Sequence, residues 1–112
     1  MKKIINITDE PIQRHTIQFE DDEITLRLRF HPFSTMWAFD VSFKEKETNG
    51  VRLAAGVLHI RSRNYAFDFF VTDNSGNGID PFKADDFSNG RCSLYMLEAA
   101  DMETIRGGRV PI

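Results

Sequence analysis

Asp73-Asn74-Ser75-Gly76-Asn77-Gly78 is the stretch of this chain whose residue types and spacing come nearest to metal chemistry. Oxygen-bearing side chains at the first, third and fifth positions and a glycine at the sixth are how an EF-hand calcium loop begins. The twelfth position should be a bidentate glutamate but is Ala84, and the usually apolar eighth is Asp80. The segment therefore reads as a Gly/Asn-rich loop, and calcium is not expected. Glu20-Asp21-Asp22-Glu23 could hold a hard cation, yet four like charges in a row are cheaper left in water, as a solvated turn. His15, His31 and His59 stand at no metal-ligand spacing from one another or from Cys92. Cys92 alternates with Leu94 and Met96, so it reads as a small buried apolar residue, not a nucleophile. No serine or histidine stands in a recognisable elbow or base arrangement. The pair Gly76-x-Gly78 is too little for a phosphate loop. No catalytic residue, metal or cofactor is expected, and the chain does not read as an enzyme.

The elements that position these residues follow from composition and period. With 112 residues, 41% hydrophobic and 12% aromatic, the chain is long enough for one domain with a true core. Ten Phe against one Trp and two Tyr favour large rings that need no hydrogen-bond partner, suited to a small β core or to a subunit interface. A net charge of −3 gives no overall pull toward nucleic acid. The lone Cys92 excludes an internal disulfide framework and fits a reducing compartment. Polar Asn6, Thr8, Asp9 and Glu10 arrive too early for a signal peptide, and no apolar run approaches the roughly 20 residues of a membrane helix. The expectation is a soluble protein made in a cytosol.

Ile24, Leu26, Leu28 and Phe30 alternate with Thr25, Arg27, Arg29 and His31, the pattern of a half-buried strand. A weaker strand covers 13–20, with Asp21-Asp22 as the hairpin turn between them. His31-Pro32 ends the second strand, and Trp37, Phe39, Val41 and Phe43 line one face of the next. Asn49-Gly50 predicts a turn leading into a short strand over 51–55. The stretch 57–62 fits either a helical turn or a strand. Residues 65–72 and 91–97 are strands; Phe70 points opposite to Phe69 and Val71, so the first of these can be covered on both faces. Residues 99–106 form a short helix stopped by Gly107. The fold class is thus mainly β: a small antiparallel sheet or barrel-like domain with one or two short helices, in a single domain over 1–112. Residues 1–11 are an N-terminal extension and 107–112 a C-terminal tail.

The longest aperiodic region, 73–89, carries Asp73, Asp80, Asp85 and Asp86 and the rings Phe82 and Phe87. A loop of this length in a small domain is functional or is ordered by a partner. Phe33, Phe70, Phe82 and Phe87 lie in loops or on the wrong face; they are either interface rings or a second small core, and the pattern supports both. Arg27 and Arg29, with Arg14 beside them and Asp40 across the sheet, form a basic stripe. The aromatics fall on the opposite face, so cross-strand pairing or an acidic protein surface suits the stripe better than nucleic acid. The acidic turn around Asp21 and Asp22 could meet a basic surface on a neighbouring subunit.

Trp37-Ala38-Phe39-Asp40-Val41-Ser42, Asn49-Gly50-Val51-Arg52-Leu53-Ala54-Ala55-Gly56, Asp80-Pro81 and Gly90-Arg91-Cys92-Ser93-Leu94-Tyr95-Met96-Leu97 follow one another in an informative order. With the hairpin before them and the strand at 65–72, they resemble the small baseplate plug proteins of contractile-tail phages. The resemblance spans 13–100. It departs from the family outline at Val57-Leu58, where a Leu-Leu pair is expected, and 101–112 has no counterpart. It implies a structural subunit of the virion tail baseplate, assembled in the host cytoplasm. Such a subunit would sit near the hub and the end of the tube, hold hub, tube or neighbouring tail proteins by interface burial, and use no chemistry. Phe70, Asp73, Asp80, Phe82, Asp85, Asp86, Phe87, Arg27, Arg29, Asp21 and Asp22 are then the interface candidates, with no membrane or small-molecule partner. A β-rich binding or accessory module outside a tail is the alternative. A nucleic-acid-binding domain is the less favoured one.

Overall fold

The computed structural model describes residues 1–106, apart from the side chains at 62, 105 and 106. The chain opens with a short strand, β1 (Lys2–Lys3), and then lays down a meander of β2 (Ile12–Phe19), β3 (Asp22–His31), β4 (Met36–Phe43) and β5 (Lys46–Arg52). These four pair in sequence order as one antiparallel sheet. β6 (Asp68–Asp73) and β7 (Cys92–Leu97) pair antiparallel, and β1 adds to the far edge of β7 to complete a second, three-stranded sheet. A 3-10 turn occupies Arg61–Arg63, and one helix, α1, runs over Ala99–Arg106.

Alternation dictates which face each strand buries. Ile17, Phe19, Ile24, Leu26, Leu28, Trp37, Phe39 and Val41 from the meander share one core with Phe69, Val71, Cys92, Leu94 and Met96 from the second sheet. The two sheets therefore face each other, and rings lock across the gap. Phe39 meets Phe69 edge-on at 5.3 Å, and Phe19 meets Phe67 at 5.3 Å. Such edge contacts add about 0.5–1.5 kcal/mol each beyond the area they bury. Leu53, Ala55 and Gly56 carry the chain from one sheet to the other: Leu53 N–H donates to Trp37 O, and Ala55 bridges Val71 in parallel. On the opposite side β1 and β2 belong to different sheets, so the barrel is not closed. Of the two forms the periodicity allowed, the open sheets are the one adopted.

Several boundaries differ from the sequence expectation. Asn49-Gly50 is not the turn. The turn falls at Lys44-Glu45, with Lys44 at φ +56°, so that Phe43 pairs with Lys46. Asn49 and Gly50 instead face the single residue Asp40 in a β-bulge inside β5. Gly50 takes φ +69° there and donates its N–H to the Asp40 carboxylate at 2.8 Å. The strand expected over 65–72 begins only at Asp68, and the one over 91–97 begins at Cys92. Residues 1–11, expected as an extension, carry β1 and the buried Ile4, whose N–H donates to Leu94 O. Gly107 and the tail lie outside the described residues.

Phe70 points away from the main core, as its position predicts, and meets Leu97, Met102 of α1, Leu58 and Tyr95. The second sheet is thus covered on both faces. No helix among the described residues is long and apolar enough to cross a membrane.

Candidate functional site

Arg91, the residue before β7, organises the long loop. Its Nε donates to Asp86 Oδ1 at 2.9 Å and its Nη2 to Asp86 Oδ2 at 2.9 Å, a two-point clamp on one carboxylate. Nη1 lies 3.2 Å from Asp73 Oδ1 and donates to Ile79 O, while Nη2 also reaches Asp80 O. The guanidinium sits 5.2 Å from the Phe82 ring centroid. One side chain therefore touches the end of β6, the middle of the loop and the turn that re-enters β7.

The carboxylates complete the frame. Asp86 Oδ2 accepts the backbone N–H groups of Phe82 and Lys83 at 2.7 and 2.8 Å. Burial alone would raise its pKa, but Arg91 and those two amides outweigh it and hold the carboxyl at about 2. Asp73 accepts the Ser75 hydroxyl and the N–H groups of Ile79 and Ser75, which with Arg91 hold it well below the ordinary carboxylate range. Asp80 accepts Ala55 N–H at 2.8 Å and faces Arg52 at 3.7 Å. Trp37 Nε1 donates to Lys83 O at 2.9 Å, pinning the loop to the meander.

These contacts sort the expected interface residues. Phe70 and Asp86 are fully buried and Phe87 nearly so, with the Phe87 ring edge-on to Trp37 at 5.4 Å. In this fold those three cannot be surface contacts; for them the small-core alternative is what the structure adopts, because α1 covers Phe70 and the loop folds Phe87 inward. Asp73 and Asp80 are committed to the frame. Phe82, at 39% exposure, stays on the surface, joined by Ile79 at 46% and the exposed Asp85. Phe33 stands wholly exposed at the β3–β4 turn. Asp21 and Asp22 lie exposed at the β2–β3 turn, and Arg27 is exposed on the outer face of the meander. Arg29 lies beside it and pairs with Asp40 at 2.8 Å.

A family model described as cyanophage baseplate Pam3 plug gp18 matches residues 1–99, from β1 through β7 and including the whole Arg91-tied loop. The chain belongs to this baseplate plug family. The match reaches further toward the N-terminus than the motifs did and ends where α1 begins. No curated protein matches the chain. Membership of the plug family gives the protein a structural role in the phage tail baseplate, places it in the virion, and implies contacts with other tail or baseplate proteins. A structural family of this kind suggests a protein that works without catalysis. Within the plug subunit, the exposed residues are the ones available for those contacts.

A second buried polar centre escaped sequence reasoning. Asp68 Oδ1 accepts N–H groups from His59, Ile60 and Phe69 at 2.9, 3.0 and 2.6 Å. His59 Nε2 accepts Ala54 N–H at 2.9 Å, so Nδ1 carries the proton and donates to Phe69 O at 2.8 Å. Burial lowers the His59 pKa from 6.5, outweighing the opposing pull of Phe69 O, Asp68 and Asp80. A histidine with a depressed folded pKa contributes stability above its unfolded value that is lost as pH falls. The melting temperature should therefore drop as pH is lowered through about 6.5 toward about 5. His59→Gln, which takes up no proton, should flatten that part of the profile. Half-buried His15, also lowered, supplies the residual slope. An unchanged slope in the variant would remove His59 as the cause. Burial also pushes the Cys92 thiol up to about 11, keeping it un-ionised at neutral pH. Among the described residues no three of His, Cys, Asp and Glu converge on a point that could hold a metal ion.

Proposed function

We propose that the protein is a connector subunit of a contractile-tail baseplate that docks hub or tube proteins through the surface of its 74–91 loop. The observation that carries this reading is the Arg91 frame. It fixes a long polar loop without a partner's help, while leaving Ile79 and Phe82 exposed on top. A loop held rigid before docking loses little entropy on binding, and exposed apolar groups ringed by polar residues are what an interface core needs. Asp85 and Lys83 flank the patch and supply a charged rim. Assembly of the particle in the host cytoplasm accords with the reduced, buried Cys92.

The test is complementation of a particle lacking this protein. Ile79→Ala with Phe82→Ala should change stability by no more than about 1 kcal/mol, since both side chains are partly in water. The same double variant should fail to enter baseplates, read as its absence from purified particles. Normal incorporation would show that docking uses another surface.

A further inference from the structure

The outer face of the meander is electrically polarised along the β2–β3 hairpin. At the turn end stand Glu20, Asp21 and Glu23, all exposed, with Glu47 of β5 nearby on the outer face, while Asp22 pairs with the inward Phe19 and has the inner-face parity of Ile24. No Lys or Arg pairs with Glu20, Asp21, Asp22 or Glu23 among the described residues. Two lysines share that end but are turned to the other side: Lys44 lies over the Phe43 ring, and Lys46 binds the carbonyls of Arg63 and Asn64. At the other end, Arg14 and Arg27 are register partners, directly opposite each other, and both are exposed. Like charges directly opposite destabilise a sheet. Asp40 stands opposite Arg27 on β4, but its Oδ1 is already held by Arg29 and by Gly50 N–H, and Arg14, on the edge strand, has no carboxylate opposite it. Neither Arg14 nor Arg27 has an ion pair among the described residues. Asp9 and Glu10 precede this end on a stretch tied by Gln13, whose side chain belongs to the inner face.

From the outward pair Gln18–Glu23 to Arg14–Arg27 is four ladder steps. At the usual strand rise that is about 14 Å, longer than the screening length of about 8–10 Å at physiological salt, so the two ends of the hairpin do not neutralise each other within one molecule. Both halves of a complementary pair lie on one exposed face. A copy of that face turned by a twofold axis places each acidic end over the other's Arg14–Arg27 pair, and both contacts form at once. We infer that the outer face of the β2–β5 meander is a docking surface for a second copy of this chain, held by the acidic β2–β3 turn of each protomer against Arg14 and Arg27 of the other. This surface lies apart from the 74–91 loop and does not depend on the role proposed for it.

Sedimentation velocity on the full chain tests it. The wild type should self-associate at about 50 mM salt, and its Kd should rise at least about tenfold by about 500 mM. Two charge reversals divide the face: Arg14→Glu with Arg27→Glu turns its basic end acidic, and Glu20→Lys, Asp21→Lys and Glu23→Lys together turn its acidic end net basic. Each variant alone should be monomeric with the wild-type melting temperature, because every substituted side chain is exposed. Mixed in equal amounts, the two should form a heterodimer, since both contacts are then of opposite sign. A wild type that stays monomeric at low salt, a dimer that survives both reversals, or a mixture that stays monomeric would overturn the inference. So would a monomeric wild type whose arginine reversal blocks baseplate entry, which would assign the face to a different acidic subunit. Binding of single-stranded DNA that the arginine reversal abolishes would assign it to nucleic acid.

Discussion

Replacing Arg91 with Met should unfold the 74–91 loop from the sheet edge and cost the domain about 2–4 kcal/mol, a fall in melting temperature on the order of 10–20 °C for a chain of this size. The figure follows from what is left behind. Asp86 stays buried and keeps two backbone donors but loses the Arg91 guanidinium, while the carbonyls of Ile79 and Asp80 lose their donor. Removing one member of a buried pair is costly because the survivor is left as an uncompensated charge. Met fills similar volume, so the loss is electrostatic and not a cavity. The pH dependence separates this account from simple loss of packing. In the wild type, Asp86 has a depressed pKa of about 2, so the clamp contributes stability above about pH 4 that disappears as pH falls toward 2. In the variant, burial acts on Asp86 without the guanidinium, its pKa rises, and protonation relieves the penalty. The stability gap between variant and wild type should therefore narrow as the pH is lowered from 7 toward about 4. A gap that stays constant over that range, in denaturant titrations at each pH, would show that Arg91 acts through packing alone.

The strands of the meander were legible in the sequence because one of their faces is wet. Ile24, Leu26, Leu28 and Phe30 alternate with polar residues, and the alternation tells which side is buried. β6 is different: Phe69, Phe70 and Val71 are all buried, and nothing in its own pattern says that α1 and Leu58 cover Phe70. The same limit hid Phe87, whose inward turn depends on Trp37, fifty residues earlier in the chain. The Asn49-Gly50 dipeptide carries a strong local turn preference, yet it lost to tertiary context. Asp40 offered Gly50 N–H a better partner, and the Lys44-Glu45 turn let Phe43 stay in register with Ile24. The Arg91 frame left no periodic trace at all. Its partners sit at Asp73, Ile79, Asp80 and Asp86, spacings set by a loop path and not by a helix or strand repeat. Only the order of short motifs, Arg91 among them, pointed to the family, and it did so without saying what the arginine does. The site therefore became visible only when the loop was folded. It also came out smaller than the sequence suggested, since four of its six expected loop residues hold the loop together or fill the core, and only Phe82 and Asp85 remain on the surface.

Phe87→Ala should destabilise the domain by about 3–5 kcal/mol, whereas Phe82→Ala, five residues away in the same loop, should cost no more than about 1 kcal/mol. The two rings look equivalent in the sequence, each within two residues of an aspartate in an aperiodic stretch. The fold separates them. Phe87 is 8% exposed, stacks edge-on against Trp37, and belongs to the main core with Leu28, Leu94 and Ile4. Its truncation opens a void between the meander and the loop, bordered by the Trp37 indole whose N–H anchors Lys83 O. Loop and core are coupled through that indole, so the Phe87 variant should lose loop order and thermal stability together. Phe82 packs against the cations of Arg91 and Lys83 and stays exposed to solvent. Its loss removes a cation–π contact but no core volume. Chemical denaturation of the two single variants measures the difference directly. Particle incorporation then reads oppositely for each cause: the Phe87 variant should fail because little of it is folded, and stabilising conditions such as lower temperature should restore entry. The Phe82 variant, folded throughout, should fail at every temperature. If both variants respond to temperature alike, the exposed ring is part of the fold's support and the docking surface lies elsewhere.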